Sequence, residues 1–429
     1  MIPSLREQYD DLRLSPSLVG RAGSPSTDDP FIVKLMQLLL THGARVLASD
    51  VHVEPTSTGA RIRYRIDGIL HDLLQIPAEI RDPLIRAIQR KANLATDVVG
   101  RSKPQDGRID FEVDSKSLDL RLSSFPTLYG DTLALRILNR SAPRLKLEQL
   151  GFPPDILQEF LRMSHRPNGL FLVAGPTNSG KTTMLYATLE KLRSPHIKIV
   201  TLEDPVEYQM EGVNQAQVNP QVGFTFASGL RAILRQDANV ILVGEIRDSE
   251  TADIAIRAAL TGHLVFSTLH TRHACGAVTR LIDMGVEPHL IVASLNGVLA
   301  MRLVRLVCRK CQVPDPMAEK TYLRVMSQQR ASPQDPSAPA LPGPFNFMRG
   351  KGCPECNSTG YSGRTGMFEF LLLNDELKRI VLDKSSSQLY RVAVASGMRT
   401  MVEDGMEKAA RGLTTVEEVL RVIGEVEEL

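Results

Sequence analysis

Eight residues, Gly175-Pro176-Thr177-Asn178-Ser179-Gly180-Lys181-Thr182, follow the pattern G-x-x-x-x-G-K-[ST]. At that spacing the glycines let successive backbone N–H groups turn inward around a phosphate. The lysine ammonium then sits near the β- and γ-phosphates, and the threonine hydroxyl can ligate Mg²⁺. The ligand so described is a nucleoside triphosphate with its magnesium ion. Such a loop must join a buried strand to a helix: Leu170–Ala174 (LFLVA) has the length of the strand, and Thr183–Leu192 reads as the helix.

Hydrolysis needs more than binding: a carboxylate at the end of a neighbouring strand has to orient water. Val240–Val243 supplies four apolar residues followed by Gly244 and Glu245, so Glu245 is expected at the carboxyl edge of the sheet, where ligands bind. Gly244 stands where the usual Walker B motif has Asp. The metal is therefore expected on Thr182, water and a second carboxylate from Ile199–Glu207 (IVTLEDPVE), where Glu203 and Asp204 are the acids that follow the strand and Glu203 is counted among the catalytic residues. His263 and His270 flank the apolar run Leu264–Thr268. His270 is read as a hydrogen-bond partner of the γ-phosphate or its attacking water, able to distinguish a triphosphate from a diphosphate.

Four of the five cysteines form two C-x-x-C pairs, Cys308/Cys311 and Cys353/Cys356, the spacing of a tetrahedral Cys₄ Zn²⁺ site. Four thiolates leave no position for water, so this zinc is expected to be structural. Cys275 reads as a small buried apolar residue.

A chain of 429 residues exceeds one ordinary core and predicts two or three domains. Lys+Arg 51 against Asp+Glu 49, with no Trp and 5% aromatics, argues against wrapping nucleic acid or stacking on its bases. No apolar run has the length of a membrane span, and the N-terminus is charged where a signal peptide is apolar, so a cytoplasmic location with access to ATP is expected. Composition divides the chain into a disordered tail (1–29), an α+β domain (30–140), a Pro-rich linker (141–154), a parallel α/β core (155–307), a cysteine subdomain with a Pro-rich, partly disordered loop (308–356), and a mostly helical end (357–429). In the α+β domain, Ile62, Tyr64 and Ile66 alternate with Arg61, Arg63 and Arg65, and Asp67-Gly68 supplies a hairpin turn.

Taken together, Gly175–Thr182, Thr201–Tyr208 (TLEDPVEY), Arg235–Asp248 (RQDANVILVGEIRD) and Ala258–Thr271 (AALTGHLVFSTLHT) resemble the Walker A, Asp, Walker B and His boxes of the type II/type IV secretion ATPase superfamily. The cysteine pairs and Thr359–Gly366 (TGYSGRTG) make the chain more similar to its secretion and pilus-extension (GspE/PulE/PilB-like) branch than to the retraction branch. The resemblance covers roughly residues 30 to 425. It implies a PAS-like N-terminal α+β domain, a RecA-like ATPase domain and a cytoplasmic hexameric ring, peripheral to the inner membrane and working with platform and recruiting proteins there. It further implies that Arg121, Arg136, Arg231 and Arg235 act as arginine fingers or sensors, and that ATP turnover powers pilus or pseudopilus assembly. Relatives of this branch commonly carry a docking domain ahead of residue 30, where this sequence has 29 polar residues, so recruitment is expected to use other surfaces. A nucleic-acid translocase and a nucleotide-gated scaffold with little turnover are the alternatives.

Overall fold

The structure, a computed structural model, describes residues 5–13, 25–97, 103–139, 145–329, 345–383 and 386–427. The chain divides into two compact units, Met1–Pro143 and Arg144–Leu429.

The first unit contains α1 (Leu5–Arg13), α2 (Pro30–Arg45), β1 (Asp50–Thr56), β2 (Gly59–Ile66), β3 (Ile69–Pro77), α3 (Ala78–Lys91), β4 (Gln105–Val113), β5 (Lys116–Thr127) and β6 (Gly130–Asn139). Its six strands form one antiparallel sheet in the order β3-β2-β1-β6-β5-β4. Helix α2 starts where Asp29 accepts the Phe31 N–H at 2.9 Å with Pro30 in the first turn, and buries Phe31, Ile32, Leu35, Met36, Leu39 and Leu40. The β2–β3 turn puts Asp67 (φ 48°) and Gly68 (φ 86°) in the left-handed region, the two-residue hairpin geometry that matches strand twist. Tyr64 is buried and donates to the Leu39 carbonyl at 2.7 Å. The arginines on the other face of β2 are ion-paired: Arg61 and Arg63 with Glu54, and Arg65 with Asp50 at 3.7 Å.

The tail expected over 1–29 needs correction. Residues 5–13 form α1, and Leu5 and Tyr9 join the core of this unit, with Leu12 packed against it. Five charges in nine residues hide a short apolar stripe at i, i+4, i+7; burying a side chain of this size contributes about 1.5–3 kcal/mol.

The second unit opens with a short turn at Leu147–Gln149, then α4 (Pro154–Ser164), β7 (Gly169–Ala174), α5 (Lys181–Leu192), β8 (Ile199–Glu203), β9 (Val213–Gln217), α6 (Phe226–Ile233), β10 (Val240–Val243), α7 (Ser249–Leu260), β11 (Leu264–Leu269), α8 (Ala274–Asp283), α9 (Pro288–Ser294) and β12 (Leu295–Val307). It continues with β13 (Gln312–Pro314), α10 (Ala318–Gln329), β14 (Met348–Gly350), β15 (Tyr361–Leu371), α11 (Asp375–Leu382), α12 (Ser386–Ala395), α13 (Met401–Ala410) and α14 (Val416–Glu427). Seven strands form a sheet in the order β15-β12-β7-β11-β10-β8-β9, parallel except for β15. Every residue of β7, β8, β10 and β11 is buried, as strands covered on both faces require.

Three sequence expectations change here. The end of the chain is not simply helical, because β15 returns to the ATPase sheet and pairs with β12 from Val298 to Val307. Part of the Pro-rich segment is the helix α10, anchored by the buried Tyr322 against Phe345 and Phe347; Pro333, Pro336, Pro339, Pro342 and Pro344 lie outside the described residues. Within the segment read as a linker, Leu147 and Leu150 are buried in the second unit. No helix among the described residues is long and apolar enough to cross a membrane.

Candidate nucleotide site

The loop Gly175–Thr182 joins β7 to α5 as the sequence predicts. Asn178 (φ 64°) and Gly180 (φ 93°) take the left-handed conformation that bends the loop back on itself. The loop closes tightly: a Cβ on Gly175 would stand 2.5 Å from Ser179 Oγ and 2.7 Å from the Met301 carbonyl. Ser179 Oγ is buried without a hydrogen-bond partner among the described residues. The buried Lys181 ammonium donates to the Gly175 and Pro176 carbonyls at 2.8 and 2.7 Å. Burial brings its pKa down to about 8, with Glu245 opposing that shift and Arg302 adding to it. A cation with no carboxylate in contact among the described residues, inside a loop of strained backbone, fits a phosphate. Thr182 is exposed on the first turn of α5, so its hydroxyl is open to a hard cation such as Mg²⁺.

A consequence for binding follows from the sign of the Lys181 shift. Above about pH 8 the empty loop holds a neutral amine, which must regain its proton to bind phosphate. Affinity for a triphosphate analogue should therefore be level below that pH and fall about tenfold per unit above it. Calorimetric titration from roughly pH 7 to 10 tests this, and an affinity that does not change over the range would refute it.

Glu245 follows β10 at the carboxyl edge of the sheet. Its carboxylate is bonded by Arg247, and His270 Nε2 stands 3.3 Å from Glu245 Oε2. Burial works against the charge, but the Arg247 and His270 partners outweigh it and hold the Glu245 pKa below its usual value. The backbone is pinned beside it: Ile246 N–H donates to the Thr268 carbonyl at 3.1 Å, and Thr268 Oγ1 donates to the Gly244 carbonyl at 2.7 Å. Lys181, Thr182, Glu245 and His270 thus gather at one edge, each at the end of a parallel strand or the start of the helix that follows.

His263 does not join them. It precedes β11, at the amino edge of the strand that His270 follows, and its Nδ1 meets the Ala258 carbonyl at 3.1 Å. Six strand residues place the two histidines at opposite ends. Glu203, expected with Asp204 as a second carboxylate of the site, is buried and engaged: Tyr186 Oη, Thr201 Oγ1 (2.6 Å) and Gln215 Nε2 (3.3 Å) all donate to it, and burial raises its pKa. It anchors the P-loop helix to β8. The neighbouring Asp204 is the acid that reaches the Glu245 cluster, 3.8 Å from Arg247. Arg247 and Tyr186 were missed in the sequence; Arg247 could have been found from its place two residues after the carboxylate that needs a counter-charge.

Arg231 on α6 is ion-paired with Glu250, and Arg235 Nη1 donates to the Arg231 carbonyl at 3.0 Å. Arg121 and Arg136 belong to the first unit. Strand register places Arg108, Arg121 and Arg136 opposite one another on β4, β5 and β6, and Arg136 Nε lies 3.3 Å from Asp50.

The four paired cysteines converge, with their Sγ atoms all within 4.8 Å of one another. Cys308–Cys353, Cys311–Cys356 and Cys353–Cys356 are separated by 3.8, 3.9 and 3.7 Å. A zinc tetrahedron with Zn–S near 2.3 Å has edges of about 3.8 Å, so the donor set fits Zn²⁺. The Cys353 and Gly360 N–H groups also point at Cys356 Sγ, at 3.2 and 3.3 Å. Cys275 is buried and free, as expected.

Residues 25–421 match the family described as type II/IV secretion system protein. The chain is similar to the type II secretion system ATPase E of Vibrio cholerae, 42% identical over 400 residues that span 93% of this chain and 77% of the relative. It is 44% identical over 377 residues to the type IV pilus assembly ATPase PilB of Thermus thermophilus, covering 87% of this chain and 41% of that one. Among solved structures, the pilus retraction motor PilT with bound ADP superposes with a TM-score of 0.60 at 25% identity, covering 92% of this chain and 98% of that chain.

Proposed function

The chain belongs to the type II/IV secretion system protein family, and we propose that it is a cytoplasmic, hexameric ATPase whose turnover powers assembly of a pilus or pseudopilus by a machine at the inner membrane. The observation that carries this reading is the arrangement at one sheet edge: Lys181 held in the P-loop, and Glu245 bonded by Arg247 and His270 on the adjoining strand ends. In this reading Gly175 to Thr182 cradle the phosphates, and Thr182 holds Mg²⁺. That ion supplies neutralising charge at the β- and γ-phosphates. Glu245 orients the attacking water, and its depressed pKa keeps it ionised at neutral pH. His270 senses the γ-phosphate end of the site. Glu203 acts through Tyr186, fixing helix α5 rather than touching the nucleotide.

Arg121, Arg136, Arg231 and Arg235 are proposed to meet the triphosphate when subunits assemble and domains move, the arrangement in which a guanidinium best stabilises developing phosphate charge. Partner proteins at the inner membrane recruit the ring, and zinc at the four cysteines is structural. Lys181→Ala tests the motor reading in cells that depend on this chain. Secretion or pilus assembly should be lost while the protein still accumulates and oligomerises; sustained assembly by this variant would defeat the reading.

A further inference from the structure

Arg302 has no part in the site just described, yet it lies against it. It follows Met301 on β12, the residue whose carbonyl abuts Gly175. The residue is 5% exposed. Nη1 donates to the Met301 carbonyl at 3.1 Å and Nη2 to the Arg272 carbonyl at 2.8 Å, and among the described residues it forms no ion pair. Its hydrogen bonds go to carbonyl oxygens, while the buried Glu369 carboxylate partly offsets the cost of burying its charge. What it holds is informative, because Arg272 lies two residues past His270.

The other flank of this loop is held as well. Ala274 donates its N–H to the buried Glu369 carboxylate at 2.7 Å, and Glu369 on β15 stands opposite Ala300 on β12. His273 caps α8 by accepting the Gly276 N–H at Nδ1, 3.1 Å away, and its ring centroid is 5.0 Å from that of Tyr390 on α12. Tyr390 also hydrogen-bonds Glu369. The loop carrying His270 is thus gripped at the carbonyl of residue 272 and the N–H of residue 274 by side chains from two adjacent strands.

We propose that Arg302 is a positioning residue for ATP hydrolysis: it ties the 270–273 loop to the strand behind the P-loop, and so keeps His270 at Glu245. The inference rests on the reading of His270 given above. Because the Arg302 charge lowers the pKa of Lys181, its removal does not weaken the phosphate-binding charge. The cost falls on turnover, and a misplacement of about 1 Å in such a site costs up to about 100-fold.

A double-mutant cycle on the full chain decides the matter, using steady-state ATP turnover, binding of a fluorescent ATP analogue and thermal melting. Arg302→Gln should lower kcat by about 10- to 100-fold with analogue affinity within about threefold of wild type. On a His270→Ala background the same substitution should cost less than about threefold, because the residue it positions is gone. Arg302→Lys, which can reach one of the two carbonyls, should recover part of the loss. Losses that multiply in the double variant, or a loss confined to KM, would overturn the proposal. If Arg302→Gln does not fold, Tyr390→Phe carries the same cycle from the Glu369 side, with a severalfold loss that vanishes without His270. Wild-type turnover in His270→Ala alone would instead refute the reading of His270, and the positioning role with it.

Discussion

Glu245→Gln is expected to bind nucleotide with affinity within a few fold of wild type and to turn it over about 10²- to 10⁴-fold more slowly. The substitution preserves shape and burial, so the strand end that Thr268 pins to Gly244 and Ile246 should not move. What is lost is the negative charge held by Arg247 and His270. A carboxylate with a depressed pKa is a poor proton acceptor, so the role proposed for Glu245 is to align and polarise water at the γ-phosphate. Phosphate release measured beside analogue binding separates the two effects. Turnover close to wild type would remove Glu245 from the mechanism.

Loss of the zinc proposed at the four cysteines should have the largest structural effect. In small zinc-dependent modules, binding contributes about 10–16 kcal/mol at neutral pH. Here the four thiolates clamp the place where β12 ends and β15 begins: Cys308 N–H donates to the Gly360 carbonyl at 2.9 Å, and Lys351 N–H donates to the Cys311 carbonyl at 3.0 Å. Cys311→Ser, or treatment with a strong chelator, should release zinc and open β13, β14 and the Tyr361 end of β15 to hydrogen exchange. The buried strands β7, β10 and β11 should stay protected, because each is paired on both edges inside the seven-stranded sheet and buried along its whole length. A preparation that contains no zinc by elemental analysis, or one whose exchange is unchanged after chelation, would contradict this.

Much of the site was legible because its chemistry is local. The P-loop, Glu245 and the cysteine pairs are each set by a few adjacent residues, and apolar runs such as Leu170–Ala174 and Val240–Val243 identify buried parallel strands by composition alone. Non-local placement was harder to read. Glu203 follows an apolar run much as Glu245 does, and the difference is made by Tyr186 and Gln215, which reach it from other elements. His263 and His270 look equivalent in the sequence until strand direction separates them. Arg302 lies in a run that contains two arginines, Arg302 and Arg305, and so does not read as a buried strand, although all but three of the thirteen residues of β12 are buried. The helix α1 was hidden by its charge, since only Leu5, Tyr9 and Leu12 carry the stripe that docks it.

The return of β15 to the ATPase sheet has a bearing on how the chain can be divided. It passes through the cysteine cluster and then lies along β12, giving that strand its antiparallel partner from Val298 to Val307. A catalytic fragment cut after Val307 would keep every P-loop contact and still expose a long row of unmatched amide and carbonyl groups on β12. An uncovered edge of that length is a template for joining other chains. The C-terminal third is therefore a lateral cover for the motor's central sheet, and the smallest autonomous catalytic piece of this protein extends at least through Leu371.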